Sequence, residues 1–264
     1  MGINRRGTLS ASSRQHHGSG ADAPDGFETE EGERAAQASA HVDLTQLVIK
    51  RVLDTVLSSL LLALLSPLMI LVWILIKLDS RGPALFIQDR MGAKAIRNGE
   101  ELHWEARPFR VLKFRSMADD SDEARHRAYI HEFVTGTATP NTEEEHATYK
   151  LVGDPRITRV GTALRRTSVD ELPQLFNVLR GEMSLVGPRP VPIYEVDEYD
   201  EWHFERLNAL PGITGRWQIY GRGRVTFDEM MEMDISYVRD QSLWLDLKLL
   251  ALTIPAVIKG SGAE

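Results

Sequence analysis

The sequence predicts a helix-dominated α+β protein, membrane-associated through one apolar helix near its N-terminus, with a small β-hairpin after it. Three observations predict this class. Thr55 to Ile76, TVLSSLLLALLSPLMILVWILI, carries no charged side chain and, at about 1.5 Å per helical residue, is as long as a bilayer core is thick. Two short runs, ALFIQDR at 84–90 and PFRVLKFRSM at 108–117, are rich in strand-forming residues. Helical patterning marks 118–133, a segment opening at 168–170 and ending at Gly181, 195–210 and 243–258.

Residues 1–43 are rich in Gly, Ser, Ala and Glu with almost no large apolar side chains, so a disordered polar arm is expected. The arm lacks the apolar core of a cleavable leader, which makes 55–76 an expected internal anchor. Residues 44–79 form the membrane element. Its start, Leu44 to Asp54, is amphipathic, with Leu47, Val48, Val52 and Leu53 available to lipid. Pro67 removes the amide that would bond the Ala63 carbonyl, so a kink or break is expected there. That leaves two alternatives, a bent span or a re-entrant hairpin that leaves on the side it entered. Basic residues flank both ends, Lys50 and Arg51 before and Lys77 and Arg81 after, where a one-way span normally shows a bias. The Ser66 hydroxyl is expected to help by bonding the Leu62 carbonyl.

Residues 80–264 are expected to form a single cytosolic domain at the membrane surface. Ser80 to Pro83 reads as a turn, 92–107 as a glycine-marked loop between the two strands, and 135–148 as an acidic, solvated loop. Leu243 to Ile258 reads as an interfacial helix or as a helix of the domain core, since both uses need the same apolar periodicity. The net charge of −7 argues against nucleic-acid binding. Cysteine is absent and the eight histidines form no HExxH pair, which excludes thiolate catalysis and makes a zinc site improbable.

Chemistry concentrates between 152 and 190. Ser168 and Glu171 have capping-box spacing and Pro173 suits a first turn, so Asp170 and Glu171 are expected at a helix N-terminus. The dipole there favours the carboxylate form that a nucleophile or a Mg²⁺ ligand needs, although first-turn acids are also common without any such role. Arg156, Arg159, Arg165, Arg166, Arg189, Arg216, Arg222 and Arg224 lie beside turn-forming residues in an otherwise acidic chain. Their forks suit phosphate oxygens, and no GxxxxGK[ST] loop is present to do that work.

KFRSM at 113–117, DPRITRVG at 154–161, RRTSVDELPQLFNVLRGEMSLVGPRP at 165–190, PGITGRWQIYGR at 211–222 and SLWLDLKLLALTI at 242–254 resemble, in the same order, the bacterial sugar transferase family. These are the monotopic phosphoglycosyl transferases, or undecaprenyl-phosphate sugar phosphotransferases. The resemblance covers about 47–264 and implies a re-entrant helix with the Ser66-Pro67 break. It implies transfer of a sugar 1-phosphate from a UDP-sugar to undecaprenyl phosphate, with release of UMP, as the first membrane step of glycoconjugate synthesis. Asp170 matches the family's nucleophile and Glu171 its dyad partner, with Mg²⁺ at the diphosphate. Lys113, Arg165, Arg189, Gln218 and Arg222 match substrate-binding positions, and Pro188-Arg189-Pro190 matches the uridine-associated motif. Membrane lipids are implied partners, the cytoplasmic face of the bacterial inner membrane the implied location, and a homo-oligomer stays open. The sequence departs from the family at the longer 92–107 stretch and at Arg216, where relatives often carry an apolar residue. A non-catalytic membrane adaptor and a Mg²⁺-dependent phosphohydrolase are the competing readings.

Overall fold

The computed structural model describes residues 44–98, 101–117, 123–137, 156–221 and 224–259. The polar arm at 1–43, most of the acidic loop at 135–148, and Arg222 lie outside them.

Helix α1, Leu44–Asp79, takes in both the amphipathic lead-in and the apolar stretch, and its helical residues run without interruption through Pro67. The Ser66 hydroxyl donates to the Ala63 carbonyl at 2.9 Å rather than to Leu62. Ala63 is the acceptor that proline leaves without its amide partner, so the serine repairs the bond its neighbour removes. The helix is exposed around Pro67 but packs on the domain both before and after it. Before it, Leu57, Leu61 and Leu62 rest on the main core, and Leu47 meets Trp104 and Leu210. After it, Val72 and Ile76 pack with Phe114 and Leu164.

Polar contacts reinforce both ends. Asp54 Oδ1 accepts from the Leu185 amide at 3.0 Å, and Lys50 donates to the Val186 carbonyl at 3.0 Å and to Asp246 at 2.6 Å. Arg51 donates to the Val178 carbonyl and, at 2.7 Å, to the Leu179 carbonyl. At the far end Arg115 holds the Ser80 and Arg81 carbonyls at 3.0 and 2.7 Å.

Strands β1, Leu85–Asn98, and β2, Glu101–Phe114, pair antiparallel from Leu85↔Phe114 to Asn98↔Glu101. The stretch at 92–107 is therefore the distal half of a long hairpin and not the expected loop. Its support is tertiary: Ala93 and Trp104 are buried against Leu210, with Leu47 and Leu207 around them. Alanine and a single tryptophan among polar residues carry too weak an alternating pattern to be read as a strand.

Helix α2 spans Glu123–Val134 and helix α3 spans Arg159–Arg166. A 3₁₀ turn at Val169–Glu171 precedes helix α4, Gln174–Arg180, which ends at Gly181 with φ +80°, the left-handed C-cap that glycine favours. The single helix expected from about 168 to 181 is thus split. Ser168 sits at φ +55° and its side chain does not cap the turn, while Pro173, with no amide to donate, sits at the N-cap of α4.

Strand β3, Ser184–Val186, runs parallel to β5, Gly212–Thr214, and β4, Val191–Pro192, adds to β1 at Arg90 and Met91. The helix expected over 195–210 is a short α5, Ile193–Val196, then a 3₁₀ segment at Glu201–Leu207 whose start is closed by the Asp200 amide donating to His203 Nδ1 at 2.9 Å. Helices α6, Arg216–Tyr220, α7, Phe227–Arg239, and α8, Leu243–Lys259, complete the described chain. On α8 Asp246 and Leu249 are buried, whereas Trp244, Leu247 and Ile254 are exposed.

Candidate active site

Four segments converge on the Asp170–Glu171 pair. The end of β2 supplies Lys113, α3 supplies Arg165, the 3₁₀ turn supplies both acids, and the link from β3 to β4 supplies Pro188, Arg189 and Pro190. The link is set by close backbone approach. The Gly187 amide donates to the Thr214 carbonyl at 2.9 Å and the Gly212 amide to the Pro188 carbonyl at 2.8 Å. A Cβ on Gly187 would lie 2.2 Å from the Leu210 carbonyl oxygen, and one on Gly212 would lie 2.1 Å from the Gly187 nitrogen. Only glycine lets these chains cross.

Glu171 is the fixed member of the pair. Lys113 Nζ donates to its Oε1 at 3.1 Å, and Arg189 forks across both oxygens, with Nη1 at 3.3 Å from Oε2. Burial alone would raise the pKa of Glu171, but the Arg189 and Lys113 charges outweigh it and hold this carboxyl well below the usual range. Asp170, 9% exposed, has no hydrogen-bond partner for its carboxylate among the described residues. Its pKa is raised to about 6 by burial and by the Glu171 charge, against the pull of Lys113, Arg189 and Arg165. This corrects the expectation that a helix dipole would stabilise the carboxylate, because a three-residue 3₁₀ turn has almost no macrodipole to offer. Lys113 is itself lowered by burial, with Glu171 opposing.

The expected substrate residues divide. Lys113, Arg165 and Arg189 act on the acid pair, and Pro188 and Pro190 brace Arg189. Gln218 Nε2 donates to the Ile213 carbonyl at 3.0 Å within the β5–α6 turn, while its buried Oε1 has no partner among the described residues. Arg222 lies outside the described residues. Arg216, one of the departures, bridges α6 and α7 by donating to Asp240 and Ser236 at 3.0 and 2.6 Å.

Sequence reasoning missed a second tier. Arg90 faces the Pro190 carbonyl at 3.5 Å, and Arg206 donates to the Arg189 carbonyl at 3.0 Å and to Asp234 at 2.5 Å. One signal was available: Asp234 interrupts the apolar stripe of Met230, Met231, Ile235, Tyr237 and Val238 on α7. An acid on a core face needs a buried partner. For Arg206 there was none.

The acid pair fits a hard divalent cation such as Mg²⁺. Asp170 offers two uncommitted oxygens and Glu171 retains unused lone pairs, and a cation of this kind takes one or two carboxylates and completes its shell with water and phosphate oxygens.

A family model described as "Bacterial sugar transferase" matches residues 45–260. Galactosyl transferase CpsE of Streptococcus agalactiae serotype III (strain NEM316) is 43% identical over 184 residues, which are 69% of this chain and 36% of that protein. Exopolysaccharide production protein ExoY of Rhizobium meliloti (strain 1021) is 41% identical over 215 residues, 81% of this chain and 87% of the relative. UDP-glucose:undecaprenyl-phosphate glucose-1-phosphate transferase of Caulobacter vibrioides (strain ATCC 19089 / CIP 103742 / CB 15) is 40% identical over 222 residues, 81% of this chain and 71% of the relative. The chain thus spans little more than a third of the Streptococcus protein and most of the other two.

Proposed function

The chain belongs to the bacterial sugar transferase family, and from that premise we propose that it transfers a sugar 1-phosphate from a UDP-sugar to undecaprenyl phosphate, releasing UMP. The observation that carries the reading is the division of the acid pair, one carboxylate locked by two cations and its neighbour uncommitted and more basic than an ordinary aspartate. Pairs whose environments push their pKa values apart mark distinct chemical roles.

In the first step an Asp170 carboxylate oxygen attacks the sugar-linked phosphorus. The bond from that phosphorus to the bridging oxygen breaks, UMP leaves with the electron pair, and an aspartyl phospho-sugar remains. In the second step an oxygen of undecaprenyl phosphate attacks the same phosphorus and the Asp170 carboxylate departs, restoring the enzyme. Asp170 is the nucleophile, and its raised pKa makes its oxygen a better one while leaving most of it ionised at neutral pH. Lys113 and Arg189 place fixed positive charge beside the reacting phosphoryl group, and Arg165 adds to that field. Glu171 keeps Lys113 and Arg189 in place. Asp170, with Glu171, would hold Mg²⁺, which when bound neutralises diphosphate charge.

The reaction belongs to the start of exopolysaccharide, capsule or O-antigen assembly, on the cytoplasmic face of the inner membrane. Contacts from both halves of α1 to one domain support the re-entrant reading of that helix. A straight span would carry its ends to opposite sides of a hydrocarbon core about 30 Å thick, where a single domain could not hold both.

The test mixes full-length enzyme, Mg²⁺ and UDP-glucose or UDP-galactose without lipid. About one UMP per active site is expected, as a covalent-intermediate burst requires, with a phospho-hexose mass increment on Asp170. Release of UMP far beyond one equivalent without acceptor would establish hydrolysis instead. Fast turnover with lipid, no adduct and ternary-complex kinetics would make the transfer direct and demote Asp170 to a metal ligand.

A further inference from the structure

Behind the Pro188–Pro190 segment lies a buried row of charge that the chemistry above does not use. Arg206, its side chain 1% exposed, donates through Nε and Nη2 to Asp234 Oδ2 at 3.1 and 2.5 Å. Its Nη1 donates to the Tyr199 hydroxyl at 2.5 Å and lies 3.8 Å from Glu195 Oε1. Asp234 is fully buried, and its Oδ1 has no partner among the described residues. An assembly of this kind is a poor stability device, because apolar side chains of similar volume usually match or exceed a buried ion pair. Its position explains it better.

Arg206 Nη2 also donates to the Arg189 carbonyl at 3.0 Å. The Pro188 carbonyl accepts from Gly212 at 2.8 Å and the Pro190 carbonyl faces Arg90 Nη1 at 3.5 Å. All three carbonyls from Pro188 to Pro190 are therefore held, and both prolines have their φ fixed by their rings. The backbone of Arg189 is pinned from each side, and only its side chain is left to reach Glu171.

We infer that Arg206, clamped by Asp234, is a positioning residue that fixes the Arg189 backbone and thereby sets the reach of the Arg189 guanidinium to Glu171 and to the donor diphosphate. The donor half of this statement rests on the proposed transfer reaction, whereas the contact with Glu171 does not. Burial also pushes the Asp234 carboxyl up to about 6 against the pull of Arg206, consistent with a charge retained for what it holds.

The experiment uses the full chain in detergent or lipid with two variants, Arg206→Lys, which keeps the charge but loses the fork, and Arg206→Met/Asp234→Leu, which replaces the pair by apolar volume, leaves Arg90 as the cation acting on Glu195, and is expected to fold. Arg189 is read directly by phenylglyoxal modification mapped by mass spectrometry. Its labelling rate is expected to rise several-fold in both variants while melting of the double variant stays cooperative. With an active UDP-sugar, the donor KM is expected to rise on the order of tenfold, the effect of one weakened charged hydrogen bond. A merely structural defect would lower the active fraction and leave KM unchanged. Unchanged Arg189 labelling in the folded double variant overturns the inference, as does a normal donor KM. If Arg189 labelling rises but wild-type enzyme releases no UMP from any UDP-sugar with undecaprenyl phosphate, positioning stands and the transfer reading is the one that fails.

Discussion

Asp170 and Glu171 are chain neighbours whose removal should act on stability in opposite directions. Folding raises the Asp170 pKa from 3.8 to about 6, so the folded state prefers the protonated form, and the resulting loss of stability builds up between those two pH values and is constant above them. Asp170→Asn should therefore abolish turnover yet stabilise the protein at pH 7.5 by roughly 3 kcal/mol, with the difference from wild type vanishing as pH falls toward 4. Thermal melts of both proteins across that range check it, and a destabilised Asp170→Asn at neutral pH would refute it. The same protonation should slow the UMP burst as pH drops through about 6. Glu171 has the opposite sign: its depressed pKa contributes stability above its ordinary value of 4.5, lost as pH falls. Glu171→Gln leaves Lys113 and Arg189 facing each other without their counter-charge and should cost about 2 kcal/mol as well as impairing turnover, with melting temperature and burst amplitude as readouts.

At the scale of elements, α1 organises the site through one polar face. Lys50 and Asp54 hold β3, which leads directly into Gly187, and Arg51 caps the carbonyl end of α4, which follows the acid pair. Lys50→Met leaves Asp246, its side chain 3% exposed, without its cation, and should lower stability by about 3–5 kcal/mol. Lys50→Met/Asp246→Leu should recover most of that loss, which a double-mutant cycle in melting experiments measures. Topology is testable on the same helix because the chain has no native cysteine. Single cysteines near Ser12 and Asn98 should both be protected from an impermeant thiol reagent in right-side-out vesicles. Labelling of one and not the other would mean that α1 spans. Pro67→Leu should restore the amide donor and favour the spanning form.

For the whole molecule, the apolar helix α1 and the rest of the described chain share their cores. Leu57, Leu61 and Leu62 complete the main core, and Val72 and Ile76 complete a second cluster with Phe114 and Leu164. A fragment starting at residue 80 would expose both surfaces and leave the Leu185 amide, buried in the intact chain, without its Asp54 acceptor. That fragment should fail to give a cooperative melt or a monodisperse peak on size exclusion, and a stable, soluble 80–264 domain would show that the helix is only an anchor.

The apolar stretch, the acid pair and the arginines gathered near it, Arg165 and Arg189 among them, were legible in the sequence from residue type and local spacing, whereas Lys113, 58 residues before Glu171, was indicated only by the resemblance to the family. Local spacing also marked the helix end at Gly181 and α8, which packs Leu249 into the core and leaves Trp244, Leu247 and Ile254 exposed. What tertiary structure alone decided depends on distant partners. The 92–107 stretch becomes strand because Trp104 finds Leu210 and Leu47. Asp170 becomes the more basic carboxylate because burial and Glu171 outweigh a dipole that the broken helix does not have. Arg189 is placed by Arg206 and Asp234, 17 residues and more away along the chain. Local spacing names the groups available for chemistry; which charge meets which, and how dry the meeting place is, follows from long-range packing that no short window of sequence contains.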